Sequence, residues 1–476
     1  MRTTELAVTL IYIVVCIGIG LWARSKVRES KDDYWVAGRR VGVFTNTWAI
    51  MAALASGGSI LGVTGLGYRL GLPYVFSMYA GAVVGFPIAA ILVAKPLVNL
   101  GKYTITDFLT ERFDSKLLKV VIPLIILISM GTYIVAQMKA AGVAAQYLLA
   151  ISYNHAIILT SIVFILYVSI GGMWAVTVTD VLQGIIMVGM MLLVAVISLA
   201  RFGGLGGLLT QATAVAPNIG QLVNMPMSSY VGAFVVWAAA IPVIPHIVMR
   251  IYTSKDVKSA RLSLNYAMLI YAFMIFFGVV GISAGGHLLA PGLKDADTVY
   301  LIMVENFLPR VLGGLALAAV MAAVMSTTDA LLLACASAVS HDLYERVINP
   351  KASDKTLVNI SLVTTWVIGL LAMFFAFNPP KLLTMLYTAA VGLIVSSLFV
   401  PTILGIWWKG TNTQGATAGV LVGAVSYLWL LWFTKMPALS HVLVSLPLCL
   451  AVTVIVSLLS PPPSAATLER VQQLHR

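Results

Sequence analysis

The chain is 476 residues long, 60% hydrophobic and only 10% charged, with a formal net charge of +12 at pH 7 and a mean hydropathy of +0.98. Soluble chains of this size carry about a quarter of their residues charged, so a water-soluble globular fold is excluded and an all-α, polytopic membrane protein in contact with lipid is expected. The surplus of lysine and arginine does not signal nucleic-acid binding here, because membrane proteins collect such residues in loops on one side.

Apolar runs predict about thirteen spans, at 5–23, 45–67, 73–97, 119–149, 155–172, 177–201, 230–249, 263–291, 310–340, 358–377, 381–407, 414–434 and 438–460. The first run, Leu6 to Ala23, has no cleavage-site pattern and is long for a signal peptide, so it reads as a retained span. Basic residues then recur in alternate loops. Arg24, Lys26, Arg28, Lys31, Arg39 and Arg40 follow the first span, and Lys102, Arg112, Lys116 and Lys119 follow the third. Arg250, Lys255, Lys258 and Arg261 follow the seventh, and Arg346, Lys351 and Lys355 follow the ninth. Segment 203–229, on the opposite side, has neither Lys nor Arg. The N-terminus is therefore expected outside, and the tail with Arg470 and Arg476 inside, in the plasma or inner membrane. No sizeable soluble domain is expected beyond the spans. Cys16, Cys335 and Cys449 lie in apolar runs without metal-like spacing, so neither a disulfide nor a transition-metal site is expected.

Two spans are interrupted. The second contains Leu54-Ala55-Ser56-Gly57-Gly58-Ser59, where adjacent glycines weaken the helix. The seventh contains Ala240-Ile241-Pro242-Val243-Ile244-Pro245, where each proline removes an intrahelical bond. The breaks stand five spans apart. Paired breaks at corresponding positions point to a transporter site between two repeats.

The ninth span carries Val324-Met325-Ser326-Thr327-Thr328-Asp329-Ala330 inside an apolar run. A carboxylate at mid-membrane costs about 2.5–3.5 kcal/mol on insertion scales, so a functional need for it is expected. Ala323, Ser326 and Thr327 share one helix face, and carbonyls freed near Ala55 would complete a shell of hard oxygen donors suited to Na+. Asp180, at the start of the sixth span, reads as a helix-capping acid or a second ionic partner. Lys139 lies mid-span and needs a partner: Asp180, Asp329 or a carboxylate on a solute. Trp237, just before the second break, is either a pocket wall or a lipid-interface anchor. No nucleophile–base pair, phosphate loop or metal cluster offers itself, so no enzyme activity is expected.

These residues, with Tyr103-Thr104-Ile105-Thr106-Asp107-Phe108, Gly171-Gly172-Met173-Trp174-Ala175, Pro245-His246-Ile247-Val248-Met249-Arg250 and Ala336-Ser337-Ala338-Val339-Ser340-His341-Asp342-Leu343-Tyr344, resemble the sodium:solute symporter family with its LeuT-type fold. Segments 133–142 and 340–344 look most like its acetate and monocarboxylate permease branch. The resemblance implies two inverted repeats of five helices, 45–201 and 230–407, joined by an external loop at 202–229. An extra span and loop at 1–44, two extra spans at 408–460 and a tail at 461–476 would flank them. It implies a sodium site at Ala52, Ala55, Ala323, Ser326 and Thr327. It also implies a second cation or proton site at Asp180, Ser326 and Asp329, with Asp329 standing where such members use serine. Ser56, Gly57, Ser59, Gln137, Lys139 and Trp237 would bind solute.

The chain also departs from its apparent branch. The acetate-permease pattern lacks the Ser-Thr pair and has a small neutral residue at the position of Lys139. Polar groups typical of sugar carriers are missing. Proline permeases share Trp237 but have Asp where this chain has Leu54. The expectation is a Na+-coupled symporter for a small organic anion, a short monocarboxylate, working by alternating access. Proline, pantothenate or another small zwitterion, and proton coupling, are the alternatives. A channel would need a continuous polar line, and a sensor an appended signalling domain. The oligomeric state is left open, and a monomer satisfies every reading.

Overall fold

The computed structural model describes residues 3–24, 31–222, 225–378 and 383–475. Lys26, Arg28 and Arg476, and the first two residues of the predicted 381–407 span, lie outside them. Among the described residues no strand forms, and the only extended pairing is an isolated one between Val41 and Ser254.

Among the described residues, eleven helices are long and apolar enough to cross a membrane. They are α1 Thr3–Ala23, α4 Leu72–Leu100, α6 Leu118–Leu149, α8 Gly172–Arg201, the span Met227–Thr253, α11 Val257–Leu289, α13 Arg310–Ile348, α14 Asp354–Phe375, α15 Leu383–Trp407, α16 Thr413–Phe433 and α17 Val442–Leu459. A twelfth is the pair α2 Val43–Leu54 and α3 Gly58–Leu70, bent by 61°. The remaining predicted span, 155–172, is α7 Tyr153–Ser169, a shorter apolar helix. A short amphipathic helix, α5 Ile105–Phe113, joins α4 to α6. The Met227–Thr253 span is itself two helices, α9 Met227–Ala240 and α10 Pro245–Thr253. A further short helix, α12 Val299–Phe307, precedes α13.

Each break follows from its sequence. At the first, Ala55 leaves helical geometry at φ −77°, ψ 82°. At the second, Pro245 opens α10, where its missing N–H leaves no partner wanting. Between α7 and α8, Gly172 adopts φ 60°, ψ −172°, a conformation that a side chain resists.

Burial ranks the spans. In α13, 83% of the most apolar stretch is buried, and in Met227–Thr253 and α15 78%, against 28% in α1 and α17 and 33% in α14. The broken helices and α13 therefore form the centre, and α13 packs on α2, α6, the α7–α8 unit and α1. The outer helices present Leu10, Ile11, Val14, Phe374, Leu458 and Leu459 outward, as lipid contact requires.

The basic loops meet on one side. Arg39 Nη1 donates to Lys102 O at 2.9 Å, Val41 N–H to Thr253 O at 3.1 Å, and Lys255 N–H to Val41 O at 3.2 Å. On this side α5 is tied to the end of α13. Asp107 forms a capping box with Thr104, pairs with His341 at 3.0 Å, and makes an ion pair with Arg346. Burial alone would raise the Asp107 carboxyl. The facing charges of His341 and Arg346 and the Tyr103 amide outweigh it and hold the group below its ordinary range.

Candidate functional site

The first break frees a row of carbonyls. In an unbroken helix the amides of Ser56, Gly57 and Ser59 would bond the carbonyls of Ala52, Ala53 and Ala55. Here Ser56 N–H turns to Leu54 O at 2.9 Å, Gly57 N–H to Gln137 Oε1 at 3.1 Å, and Ser59 N–H to Ser56 O at 2.7 Å. From α13, Ser326 Oγ lies 2.9 Å from Ala52 O and 3.3 Å from Ala323 O, while Thr327 Oγ1 lies 3.4 Å from Ala52 O and 3.2 Å from Ala53 O. Ser326 also bonds back to Ala322 O at 2.9 Å, as membrane serines commonly do. The bonds of Thr327 run across to α2 and need another explanation. These neutral hard oxygens converge from two helices, a donor set that fits Na+ once the hydroxyl protons rotate away. Ala53 O is a member that sequence reasoning missed, although the same shift in amide pairing exposes it.

One turn further along α13, Asp329 is fully buried, and neither of its oxygens accepts a hydrogen bond from the protein. Asp180 is also fully buried, well inside α8, and is no interfacial cap. Its partner is Arg250, which pairs with Asp180 through Nη2 and donates to Thr177 through Nη1. The sequence reading counted Arg250 among loop charges. It is instead fully buried in α10, its carbonyl accepting from Asn46 Nδ2 of α2 at 3.0 Å.

Among the described residues, Lys139 pairs with neither Asp180 nor Asp329. Its Nζ lies 3.1 Å from Asp297 Oδ2, with side-chain exposures of 9% and 0%. Asp297 belongs to the polar turn before α12, on the side opposite the basic loops, and this turn folds inward onto α3. A Cβ on Gly65 would meet Ala296 O at 2.7 Å. The acid went unrecognised because it sits among Lys294, Asp295 and Thr298 and looks like any surface loop.

Between the two breaks lies an aromatic cluster. Tyr133 and Tyr387 stack at 4.9 Å, Trp237 meets Tyr387 edge-on at 6.0 Å, and Tyr79 and Tyr271 lie 5.3 Å apart. Trp237 is 4% exposed and donates to Thr388 Oγ1 at 3.4 Å, which rules out the lipid-anchor reading. Ser56 and Ser59 exchange backbone-to-hydroxyl bonds at 3.2 Å. Around them are buried polar atoms without protein partners: Gln137 Nε2, Tyr133 OH, Thr384 Oγ1 and both ring nitrogens of His246. Gly57 allows close approach of the helices, since a Cβ there would stand 2.4 Å from Val324 Cγ2 and 2.9 Å from Ala140 Cβ. The four tyrosines come from four different helices, so no local motif announces them.

The sequence profile of the sodium:solute symporter family matches residues 34–423. The chain belongs to the sodium:solute symporter family. It is 29% identical over 474 residues to the osmoregulated proline transporter OpuE of Bacillus subtilis (strain 168), covering 96% of this chain and 95% of that one. Among solved structures, a Na+-coupled sialic acid symporter in a substrate-bound outward-open state superposes with a TM-score of 0.83 at 19% identity, covering 97% of this chain and 99% of the other. The nucleobase-cation-symport-1 transporter Mhp1, closed on bromovinylhydantoin, gives 0.57 at 17% identity, covering 92% and 98%. The chain thus has the all-α LeuT-type fold, with a core of two five-helix inverted repeats and extra terminal helices. As a symporter-family member it is a transporter and not an enzyme, and Na+ and a small solute are its partners.

Proposed function

We propose that this symporter moves Na+ inward together with a small zwitterionic solute of the amino- or imino-acid class. The observation that carries the reading is the commitment of Lys139 to Asp297. The sequence favoured a short monocarboxylate, with Lys139 as partner of its carboxylate. With that ammonium engaged elsewhere, the Tyr133–Tyr387–Trp237 cluster offers aromatic faces and neutral donors but no cation of its own. Burying a lone anion there is costly, whereas a zwitterion brings its own counter-charge. Its ammonium suits the aromatic faces, and Gln137 Nε2 and His246 suit its carboxylate. The proline transporter relative, at 29% identity, agrees with this solute class.

Na+ would bind at Ser326, Thr327 and the carbonyls of Ala52, Ala53, Ala55 and Ala323, beside the solute at Ser56, Gly57, Ser59, Gln137 and Trp237. The two would share the break of α2–α3, so each orders backbone that the other uses. In the cell we place the protein in the plasma or inner membrane, with the basic loops inside. Repeats at 45–201 and 230–407 would rock against each other around this site.

A thermal-shift screen of small amino acids, imino acids and monocarboxylates, with and without Na+, tests the proposal. Zwitterions should stabilise the protein only in Na+, and Thr327→Ala should raise the Na+ concentration required by at least about tenfold, equivalent to one lost ligand of about 1.4 kcal/mol. Stabilisation by monocarboxylates alone, or an unchanged Na+ requirement in Thr327→Ala, would sink it.

A further inference from the structure

Three ionisable side chains sit fully buried at the heart of the bundle: Arg250 of α10, Asp180 of α8 and Asp329 of α13. Arg250 reaches Asp180 and Thr177 with its two terminal nitrogens. Asp329 lies within electrostatic range of both Asp180 and Arg250, yet accepts no hydrogen bond from either. A guanidinium stays charged at any physiological pH and suits a carboxylate in fixed geometry. The carbonyl of Arg250 is held by Asn46 of α2, the helix that supplies the freed carbonyls, so its position is linked to the Na+ site.

We infer that Arg250 is a built-in cation, permanently filling the place at Asp180 that a mobile ion would otherwise take, so that the core binds one Na+ and no second. The inference rests on the sodium-site reading above and extends it to stoichiometry. With both acids ionised, one arginine against two carboxylates leaves a single negative charge. One Na+ beside Ser326 and Thr327, a turn from Asp329, cancels it. A second would leave the dry core with an uncompensated positive charge, which is disfavoured. Asp329 is then the counter-charge for the transported ion, and Asp180 the counter-charge for the fixed one.

The test counts ions directly and needs no identified solute. Radioactive Na+ is titrated against the purified full-length protein, and bound ions per chain are measured. The wild type and Arg250→Lys should each bind one. Arg250→Gln, which leaves two carboxylates unbalanced, should bind two. Arg250→Gln combined with Asp180→Asn restores the balance and should return to one. Asp180→Asn alone neutralises the cluster without Na+ and should lower Na+ affinity at least about tenfold. Should Arg250→Gln fail to fold, this last variant and the double variant decide. Two ions in the wild type, or Asp180→Asn with unchanged affinity, would overturn the inference. Thr327→Ala in the same titration separates the two ideas. Unchanged binding there would refute the sodium-site assignment, while the ion count still judges Arg250.

Discussion

Removing either partner of the Lys139–Asp297 pair should cost the protein far more than removing both. The pair is 3.1 Å apart and nearly dry. At an effective dielectric near 20 its attraction is about 5 kcal/mol, most of it offset by the desolvation of the two ions. Lys139→Met strands the Asp297 carboxylate, and Asp297→Asn strands the ammonium. Each single change should destabilise by about 3–5 kcal/mol, and the double variant by no more than about 2 kcal/mol. Thermal unfolding of purified protein in detergent, arranged as a double-mutant cycle, measures the coupling. Uptake by the folded double variant then asks whether Lys139 meets the solute. KM should stay within about threefold of wild type, since no binding contact of the solute is deleted. A double variant as unstable as the singles, or one whose KM rises a hundredfold with intact folding, would refute the reasoning and restore Lys139 as a solute ligand.

A further outcome is expected. Gly57→Ala should destabilise by about 1–3 kcal/mol through its collision with Val324 and Ala140. Adding Val324→Ala should recover part of that loss, and an unchanged unfolding temperature in Gly57→Ala alone would show that the helices are not closely apposed there.

What the sequence disclosed divides along physical lines. Hydropathy marked each of the twelve spans, and α7 as a shorter apolar helix, and loop charge grouped the segments that meet through Arg39, Lys102, Val41 and Thr253. The breaks at Ala55 and Pro245 were visible because glycine and proline act on their own backbone. Ser326 and Thr327 were visible because four-residue helical spacing fixes which residues share a face. Pairings between distant segments were not. Asp297 is 158 positions from Lys139 and resembles a solvated loop acid. Arg250 lies near the end of its span, where topology counting treats arginine as a loop charge, and only the packing of α10 against α2 and α13 reveals it as core. The tyrosine cluster was hidden because Tyr in a membrane helix usually marks an interface, and four of them had to be gathered from separate helices.

The most direct measurement is uptake into proteoliposomes holding the purified protein, with L-proline and acetate as labelled probes, under an inward Na+ gradient without a pH gradient and under the reverse arrangement. Na+-driven accumulation of the zwitterion, electrogenic and weakened in Thr327→Ala, is the expected result. Uptake driven equally by a pH gradient in Na+-free buffer, or Na+-driven uptake of acetate alone, would contradict it.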